Sequence, residues 1–425
     1  MHVQPIARTV GLLVTLCAAT PVLANGPSTA SKPAITTATI TMLTKSATFA
    51  PLAFSDLPGW ADDDHGAALR AFVASCPKLL ARAAAGSPSR NPVPAELLAA
   101  CEAALALPVT VKRADARAFF ERYFQPHRTL HAAPIGLFTG YWEPLLEGAR
   151  TRTDKFQTAL HKRPPDLVGI VEESRRGTVG AALTHARRTA EGLVPFPTRA
   201  QIDAGALADQ NLEFLYLADP VDVFFLHIQG SGRIRLPDNT TVRVHYDGKN
   251  GHPYTSIGRY LIDAGLLAAD KVSMGALARW LRADVDRGRH VMQQNASYVF
   301  FRELADGPGG PLGALEVPLF VGRSLAVDPS VHTLGAPIYI TAPSLTHARQ
   351  GKPYNRLMVA HDVGSAIKGP ERGDIYFGSG ARAGRIAGIT KHAGHMFALL
   401  PRGAGDAATR DTAGTPSLAP EQVRP

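Results

Sequence analysis

The sequence lacks the short motifs that mark several common enzyme classes. It has no His-Glu-x-x-His pair for zinc, no Gly-x-Ser-x-Gly elbow of a serine hydrolase and no Gly-x-x-x-x-Gly-Lys-Ser/Thr loop for nucleotides. Gly230-Ser231-Gly232 comes nearest to the elbow and is one residue too short. The 15 histidines are scattered along the chain, so we expect neither a metal ion nor a cofactor.

Long apolar runs are also scarce, and the one near the start is too short to span a membrane comfortably. It follows Arg8 and ends at Val22-Leu23-Ala24, a small-residue cleavage pattern, so we expect residues 1–24 to be a removable signal peptide. The protein would then be periplasmic. Cys17 could carry a lipid anchor at the outer membrane, but Leu16 is bulky where a lipoprotein signal has a small residue.

Cysteine is rare, and removal of the signal would leave only Cys76 and Cys101. An even count in an oxidising compartment predicts one disulfide, and two buried free thiols are the alternative. The bridge would join two helical stretches, 67–80 and 94–107, and contribute about 3 kcal/mol. Neither cysteine has a nearby histidine or helix start to lower its pKa, so a catalytic thiol is not expected.

Charge is sparse and scattered, with 19% charged residues and a net charge of +9. The predicted cleavage removes Arg8 and no acid, so the mature charge would be +8. No nucleic-acid motif is present, and we expect no nucleic-acid partner. Attraction to an anionic wall polymer fits this charge, and a solvated surface without a partner is the alternative.

The 33 prolines and 39 glycines favour strands and turns over a helical bundle, and 425 residues predict two or three domains. Residues 25–50 resemble a flexible tether, and the tail from 401 lacks periodicity and is expected to be disordered. Residues 51–130 are predicted to be mainly helical, with a helix at 114–124. Further helices are predicted at 256–264 and 274–283. Strands are predicted at 221–229, 242–246, 317–325, 337–341, 357–360 and 375–377.

Two aspartates, Asp362 and Asp374, lie twelve residues apart in a segment punctuated by glycines. Each follows an apolar run, which predicts two carboxylates on tight turns between short strands. An enzyme that breaks a bond between sugars needs a carboxylate held rigidly in this way. The alternative is that both aspartates only cap turns through local hydrogen bonds.

Clusters of glycine, polar and aromatic residues recur along the chain. Tyr and Trp faces stack on sugar rings, and Gln, Ser, Asn and Thr bind hydroxyl and acetamido groups. Each cluster alone could be turn chemistry, but together they predict a carbohydrate groove. The clusters are 138–144, 227–233, 246–258, 295–302 and 321–329.

From about 137 to 395 these clusters resemble the family of membrane-bound lytic murein transglycosylase A (MltA). The last of them and the aspartate segment also resemble its C-terminal 3D domain, whose three aspartates would be Asp328, Asp362 and Asp374. The resemblance implies a mainly β fold with a helical N-terminal part. A double-psi β-barrel would carry an inserted β-rich domain, with a glycan groove between them. The implied divisions are 51–146 for the helical part and first barrel segment, 147–304 for the insert, 305–400 for the 3D barrel domain and 401–425 for the tail.

The resemblance also implies the site. Asp374 would be the general acid and then the base, and Asp362 would support it. One departure is Ser365, where the family commonly has a second glycine; another is the missing lipobox. The implied substrate-binding residues are Thr139, Tyr141, Gln229, Ser231, Lys249, Asn250, His252 and Lys368.

The implied reaction is cleavage of the β-1,4 bond between N-acetylmuramic acid and N-acetylglucosamine in peptidoglycan without water, giving 1,6-anhydro ends. Asp374 would need a raised pKa, which burial against Ile375 and Tyr376 and the charge of Asp362 would supply and Lys368 would oppose. The alternatives are an inverting hydrolase that uses both aspartates and a wall-binding protein without turnover. The implied partner is the glycan strand, bound by a monomer; attachment to the outer membrane and a wall-synthesis complex stay open.

Overall fold

The computed structural model describes residues 48–85, 92–132, 135–169, 183–307 and 309–403. The predicted signal peptide, the tether up to residue 47 and the tail from 404 lie outside these residues. Within the described part of the chain, no helix combines the length and apolar character that a membrane crossing requires.

The helices of the described residues are short apart from the first, and most of them lie before or between the strands of the two large sheets. They are His65–Ala84 (α1), Ala95–Leu105 (α2), Arg113–Tyr123 (α3), Arg199–Asp203 (α4), Pro220–Gln229 (α5), Ile257–Asp263 (α6), Met274–Arg282 (α7), Val285–Gln293 (α8) and Gly380–Gly388 (α9).

All of the strands but the first lie after residue 123. They are Thr48–Pro51 (β1), Phe124–Leu130 (β2), Gly136–Glu143 (β3), Leu145–Ala149 (β4), Thr158–His161 (β5), Leu167–Val168 (β6), Ala186–Thr189 (β7), Gly192–Val194 (β8), Glu213–Leu217 (β9), Ser231–Arg235 (β10), Thr241–Lys249 (β11), Val299–Leu304 (β12), Ser324–Val327 (β13), Pro337–Ala342 (β14), Tyr354–Val363 (β15), Arg372–Ser379 (β16) and Lys391–Pro401 (β17).

Six strands close into a barrel in the order β3-β17-β14-β15-β13-β16, with β16 returning to β3. The pairs β13–β15 and β16–β3 are parallel, and the other barrel pairs are antiparallel. Alternate residues face a fully buried interior that includes Phe138, Leu325, Met358 and Ile375. This closed barrel, with helices before it and a second sheet beside it, confirms the predicted fold class.

The second sheet has the order β12-β11-β10-β4-β9-β5, and β6, β7 and β8 form a small third sheet. The strands of the second and third sheets come from residues 145–304. The barrel is therefore assembled from chain segments that precede and follow these residues. A buried cluster fixes the junction where β3 passes into β4. Glu143 is fully buried, accepts a hydrogen bond from Ser379 Oγ at 2.6 Å, and lies 3.1 Å from Arg233 Nε and 2.9 Å from Arg243 Nε.

A disulfide joins two helices of the N-terminal part, and buried hydrogen bonds attach this part to the barrel. Cys76 in α1 and Cys101 in α2 form a disulfide, with their Cα atoms 5.0 Å apart. Asp63, just before α1, receives two hydrogen bonds from the buried Arg323 guanidinium, at 2.7 and 2.8 Å, and another from Leu357 N. These contacts hold the helices against the barrel.

The predicted strand at 221–229 is wrong, because this segment is helix α5. Asp219 caps its start by accepting a hydrogen bond from Val221 N at 2.8 Å, and Pro220 occupies the first turn, where its missing N–H costs nothing. A short apolar run of this kind fits a strand or a buried helix equally well by its pattern.

Several predicted boundaries also need correction. The strand predicted at 317–325 begins only at residue 324, and the mainly helical region to 130 ends with strand β2. Residues 48–50 of the predicted tether, together with Pro51, pair with β2 as strand β1. Pro401, assigned to the tail, is the last residue of β17.

Candidate active site

Four small or polar residues lie side by side across adjacent barrel strands. Asp362 on β15 and Asp374 on β16 both have Ala326 of β13 as their register partner, and Thr139 of β3 is the partner of Asp374 on its other side. Residues that are partners in register point to the same face of a sheet. Because Leu325 and Ile375 face the barrel interior, this aspartate row faces outward.

Both aspartates lie within strands, so the prediction that they occupy tight turns is wrong. Asp374 is the third residue of β16, and Asp362 is next to last in β15. Both side chains are half-buried, and the small side chain of Ala326 separates them. Their Cα atoms are about 10 Å apart, since two strand spacings of roughly 4.8 Å separate them.

A β-bulge brings Asp362 into the row. Ala360 pairs with Leu325 and Asp362 pairs with Ala326, so His361 is an extra residue on β15. Without the bulge, strict alternation would turn Asp362 toward the barrel interior. The bulge therefore decides that the two carboxylates share a face.

Asp374 is held by a chain of donors. Arg372 Nη2 donates to Thr139 Oγ1 at 2.8 Å, and Thr139 Oγ1 donates to Asp374 Oδ1 at 2.6 Å. Burial raises the pKa of Asp374 to about 6, although the Thr139 hydrogen bond and the Arg372 charge act in the opposite direction. Arg372 makes no ion pair with Asp374 within 4.0 Å among the described contacts, so the carboxyl keeps one oxygen, Oδ2, available.

Asp362 is more fully hydrogen-bonded than Asp374. Its Oδ1 accepts from Ala314 N at 3.0 Å and Val363 N at 2.9 Å, and its Oδ2 accepts from Tyr141 OH at 3.0 Å. Burial raises the pKa of Asp362 to about 6 against these hydrogen bonds, and the charge of Asp374 adds to the increase. Tyr141 is itself buried, and its pKa lies well above its ordinary value because of burial and the two aspartates.

Two glycines explain how the clusters place these side chains. A Cβ at Gly140, between Thr139 and Tyr141, would lie 2.5 Å from the Phe377 ring, so only glycine lets β3 approach that closely. Gly230 ends α5 in a left-handed conformation, with φ +76°. The helix thus ends at Gln229. Its Oε1 accepts a hydrogen bond at 3.1 Å from the backbone N of Trp142, which follows Tyr141 in β3.

Both the sequence and the fold of this chain match known proteins. Residues 137–302 match the MltA specific insert domain, and residues 323–400 match the 3D domain. A crystal structure of a membrane-bound lytic murein transglycosylase from Agrobacterium tumefaciens has a TM-score of 0.76 and 38% identity, covering 85% of this chain and 99% of that chain. The chain belongs to the MltA family.

A sequence and a crystal structure from Escherichia coli extend the comparison. Membrane-bound lytic murein transglycosylase A of strain K12 is 35% identical over 266 residues, which is 62% of this chain and 65% of that protein, so the match spans just under two thirds of the curated relative. A crystal structure of E. coli MltA with bound chitohexaose has a TM-score of 0.57 and 29% identity, covering 84% of this chain and 92% of that chain.

The remaining residues implied by the MltA resemblance fall into different places. Ser231, the first residue of β10, is buried close to Gln229. Lys249, at the end of β11, donates to Ser365 Oγ at 3.3 Å, in the loop that joins the two aspartate strands. Lys368 is an exposed residue of the same loop.

Asp328, the third aspartate of the 3D domain, holds that loop through a hydrogen bond. It accepts from Gly369 N at 2.8 Å, from Ser330 N at 3.0 Å and from Ser330 Oγ at 2.7 Å. Burial alone would raise the pKa of Asp328, but these hydrogen bonds outweigh it, and the pKa lies below its ordinary value. Asp328 therefore fits a loop-supporting role rather than proton transfer.

Asn250 does not fit the predicted substrate contact, whereas the contact of half-buried His252 stays a prediction. Asn250 is fully buried; its amide donates to Pro197 O at 2.9 Å and Ala296 O at 2.8 Å and accepts from Tyr298 N at 2.9 Å. His252 Nε2 lies 2.7 Å from Phe196 O. Backbone groups use both donors and the acceptor of the Asn250 side chain, so Asn250 holds the insert together. The motif identified this position but could not show that it is buried.

The expected causes of the Asp374 pKa also need revision. Ile375 faces the opposite side of the sheet, and Tyr376, two residues from Asp374, packs with Tyr141 on the row's face. The opposing cation is Arg372, not Lys368. Sequence reasoning missed Arg372, although the two-residue strand period places it on the same face as Asp374.

The described residues contain no group of three or more His, Cys, Asp or Glu side chains that could hold a metal ion. The aspartate row itself offers carboxyl groups for proton transfer, supported by the hydroxyl of Thr139 and the guanidinium of Arg372.

Proposed function

We propose that this protein is a lytic transglycosylase that cleaves the β-1,4 bond between N-acetylmuramic acid and N-acetylglucosamine in peptidoglycan and forms 1,6-anhydro ends. The observation that carries the proposal is Asp374: a half-buried carboxyl with a pKa of about 6, one hydrogen-bonded oxygen and no ion pair among the described contacts. Family membership supports it, and so does the glycan bound by the E. coli relative.

The first step needs a protonated acid. Because Thr139 donates to Asp374 Oδ1, the carboxyl proton is expected on Oδ2. From there it passes to the glycosidic oxygen as the bond to C1 of the muramic sugar breaks, and the sugar beyond that bond leaves as an alcohol. A pKa near 6 keeps a useful fraction of the acid form in mildly acidic solution.

The second step returns the proton. The Asp374 carboxylate takes the hydrogen of the C6 hydroxyl of the same muramic sugar, and O6 bonds to C1, so no water enters the product. A hydroxyl held over C1 reacts intramolecularly, which can lower the barrier by several kcal/mol. One carboxyl therefore suffices, and Asp362 with Tyr141 would position the sugar and set the charge beside Asp374.

An inverting hydrolase is the second candidate, because the two aspartates flank one residue. Such enzymes hold their carboxyls about 6.5–9.5 Å apart with water between, a spacing that side chains on Cα atoms about 10 Å apart could reach. However, Asp362 already accepts three hydrogen bonds from Tyr141, Ala314 and Val363. A carboxylate so engaged is a poor base for water, which favours the transglycosylase.

Digestion of purified peptidoglycan in water enriched in ¹⁸O separates these candidates. A transglycosylase releases muropeptides with anhydro ends that are one water lighter than reducing ends and carry no ¹⁸O. Reducing ends containing ¹⁸O from the first turnover would establish a hydrolase and refute the proposal. Failure to release any muropeptide would leave a wall-binding protein, and an Asp374→Asn digest provides the matched control.

We further propose that residues 1–24 direct export to the periplasm and that the mature chain acts there as a monomer on wall glycans. Attachment to the outer membrane through Cys17 is the alternative, and membership of a wall-synthesis complex stays a prediction. The intact mass of the mature protein distinguishes a chain that starts at Asn25 from a lipid-modified chain that starts at Cys17.

A further inference from the structure

Two cations meet beside the aspartate row, one from each large sheet. Lys249 ends β11 of the second sheet, and Lys368 lies in the loop between Asp362 and Asp374 of the barrel. Lys249 Nζ reaches Ser365 Oγ of that loop at 3.3 Å. Lys368 follows Ser365 by three residues in the same loop, so both cations belong to this loop region. Burial lowers the pKa of Lys249, and the charge of Lys368 lowers it further.

Lys249 has no acidic partner within 4.0 Å among the described residues, and Lys368 has only a weak one. The one side-chain contact of Lys249 there is the Ser365 hydroxyl. Lys368 Nζ lies 3.9 Å from Asp328 Oδ1, and its side chain is 64% exposed, so this pair is weak. Asp328 is already engaged by Gly369 and Ser330. Two weakly paired cations at one loop favour an anion that contacts both.

We propose that Lys249 and Lys368 form a subsite for a carboxylate on the C3 lactyl branch of the muramic sugar. The inference rests on the proposed function, since it assumes a peptidoglycan strand in the groove. The lactyl branch distinguishes muramic acid from N-acetylglucosamine, so this subsite would select peptidoglycan over a neutral chitin strand. The carboxylate comes either from the stem peptide or, where the peptide has been removed, from the lactyl group itself.

Binding is the direct test and is best measured in the Asp374→Asn background, where no turnover consumes the strand. Fluorescently labelled strands of three kinds are titrated: strands with free stem-peptide carboxylates, the same strands with all carboxylates converted to methylamides, and peptide-free strands with lactyl carboxylates. The test variant carries Lys249→Met and Lys368→Met. Lys112→Met with Lys352→Met removes the same charge from two exposed positions and serves as control.

We expect the test variant to bind stem-carboxylate strands about tenfold more weakly at low salt, with a smaller difference at high salt, while methylamide strands are unaffected. Weakened binding of the stem-carboxylate strands alone assigns the stem carboxylate. Weakened binding of the peptide-free strands assigns the lactyl group. Equal loss on methylamide strands, or no loss on any strand, overturns the proposal. If wild-type protein produced no anhydro ends, the proposed function would fail, but this binding comparison would still be decided.

Discussion

Replacing Asp374 with Asn should abolish glycan cleavage and also stabilise the fold at neutral pH. The pKa of Asp374 rises from about 3.8 to about 6 on folding because burial disfavours the charged form. The folded state therefore binds more protons than the unfolded state between these values, and stability falls as the pH rises through this window. Above pH 6 the full cost is present; below about 3.8 it is absent.

The cost can be estimated from the shift. One pKa unit corresponds to about 1.4 kcal/mol, so a shift of two units corresponds to about 3 kcal/mol. Since Asp374 is half-buried and titrates together with Asp362, we expect about 2 kcal/mol. Asn cannot ionise and can still accept from Thr139. The variant should therefore unfold about 2–3 °C higher at pH 8 in a chain of this size.

The assay is chemical and thermal unfolding of wild type and Asp374→Asn at intervals between pH 4 and pH 8. The difference in free energy of unfolding should be near zero at pH 4 and grow to its full value above pH 6. Asp154→Asn, which removes an exposed carboxyl, is the control and should show no such trend. A variant that is no more stable than wild type at pH 8 would refute the claim that the fold holds Asp374 at a cost.

Three further predictions concern the rest of the site. Arg372→Met removes a cation that lowers the pKa of Asp374, so the fall in kcat/KM above pH 6 should move to higher pH, with activity reduced about tenfold through the loss of Thr139 orientation. Asp362→Asn should slow anhydro product formation less than Asp374→Asn does. Asn250→Ala should cost about 3 kcal/mol of stability, since it leaves buried backbone groups unpaired, without weakening glycan binding.

Each of these has a contradicting result. Arg382 is an exposed arginine of α9, and Arg382→Met should leave the pH profile in place; a profile equally unmoved by Arg372→Met would remove the guanidinium from the proton equilibrium. Equal loss of activity in both aspartate variants would favour a mechanism with two carboxyls. An Asn250→Ala variant of normal stability but weakened glycan affinity would restore the substrate contact.

Motif resemblance predicted the barrel, which the structure confirms, and it named Asp374 as the acid, which stays a prediction. It misplaced the local geometry. The glycines suggested turns at both aspartates, yet Gly373 lies within β16, where a Cβ would meet Met396 at 2.6 Å. That glycine serves packing across the barrel rather than a turn, a distinction that depends on a residue more than twenty positions away in the sequence.

Two other features could not be predicted from the sequence for a similar reason. The apolar alternation at 221–229 is compatible with a strand and with a buried helix, and only the Asp219 cap and the neighbouring sheet decide between them. Asn250 was placed in the groove because its motif is polar and rich in glycine, but its burial depends on Pro197 and Ala296, which belong to other loops. Arg372, in contrast, could have been found from its strand spacing.

The helical N-terminal part contacts the residue next to Asp362, although it contributes no residue to the aspartate row. The bulged residue His361 is fully buried, with Ser75 Oγ of α1 2.8 Å from its Nε2 and Ser324 Oγ 2.7 Å from its Nδ1. Ser324 Oγ accepts from Phe320 N and is free to donate to Nδ1, which places the ring proton on Nε2, facing α1.

Burial lowers the pKa of His361 to about 4, so the ring is neutral near neutral pH and can keep this donor and acceptor pattern. The bulge that turns Asp362 outward is thus anchored to a helix, and that helix is fixed in turn by the disulfide through Cys76 and by the Asp63–Arg323 ion pair. A barrel strand alone would alternate its side chains and hide Asp362. The position of the second carboxylate therefore depends on packing against α1.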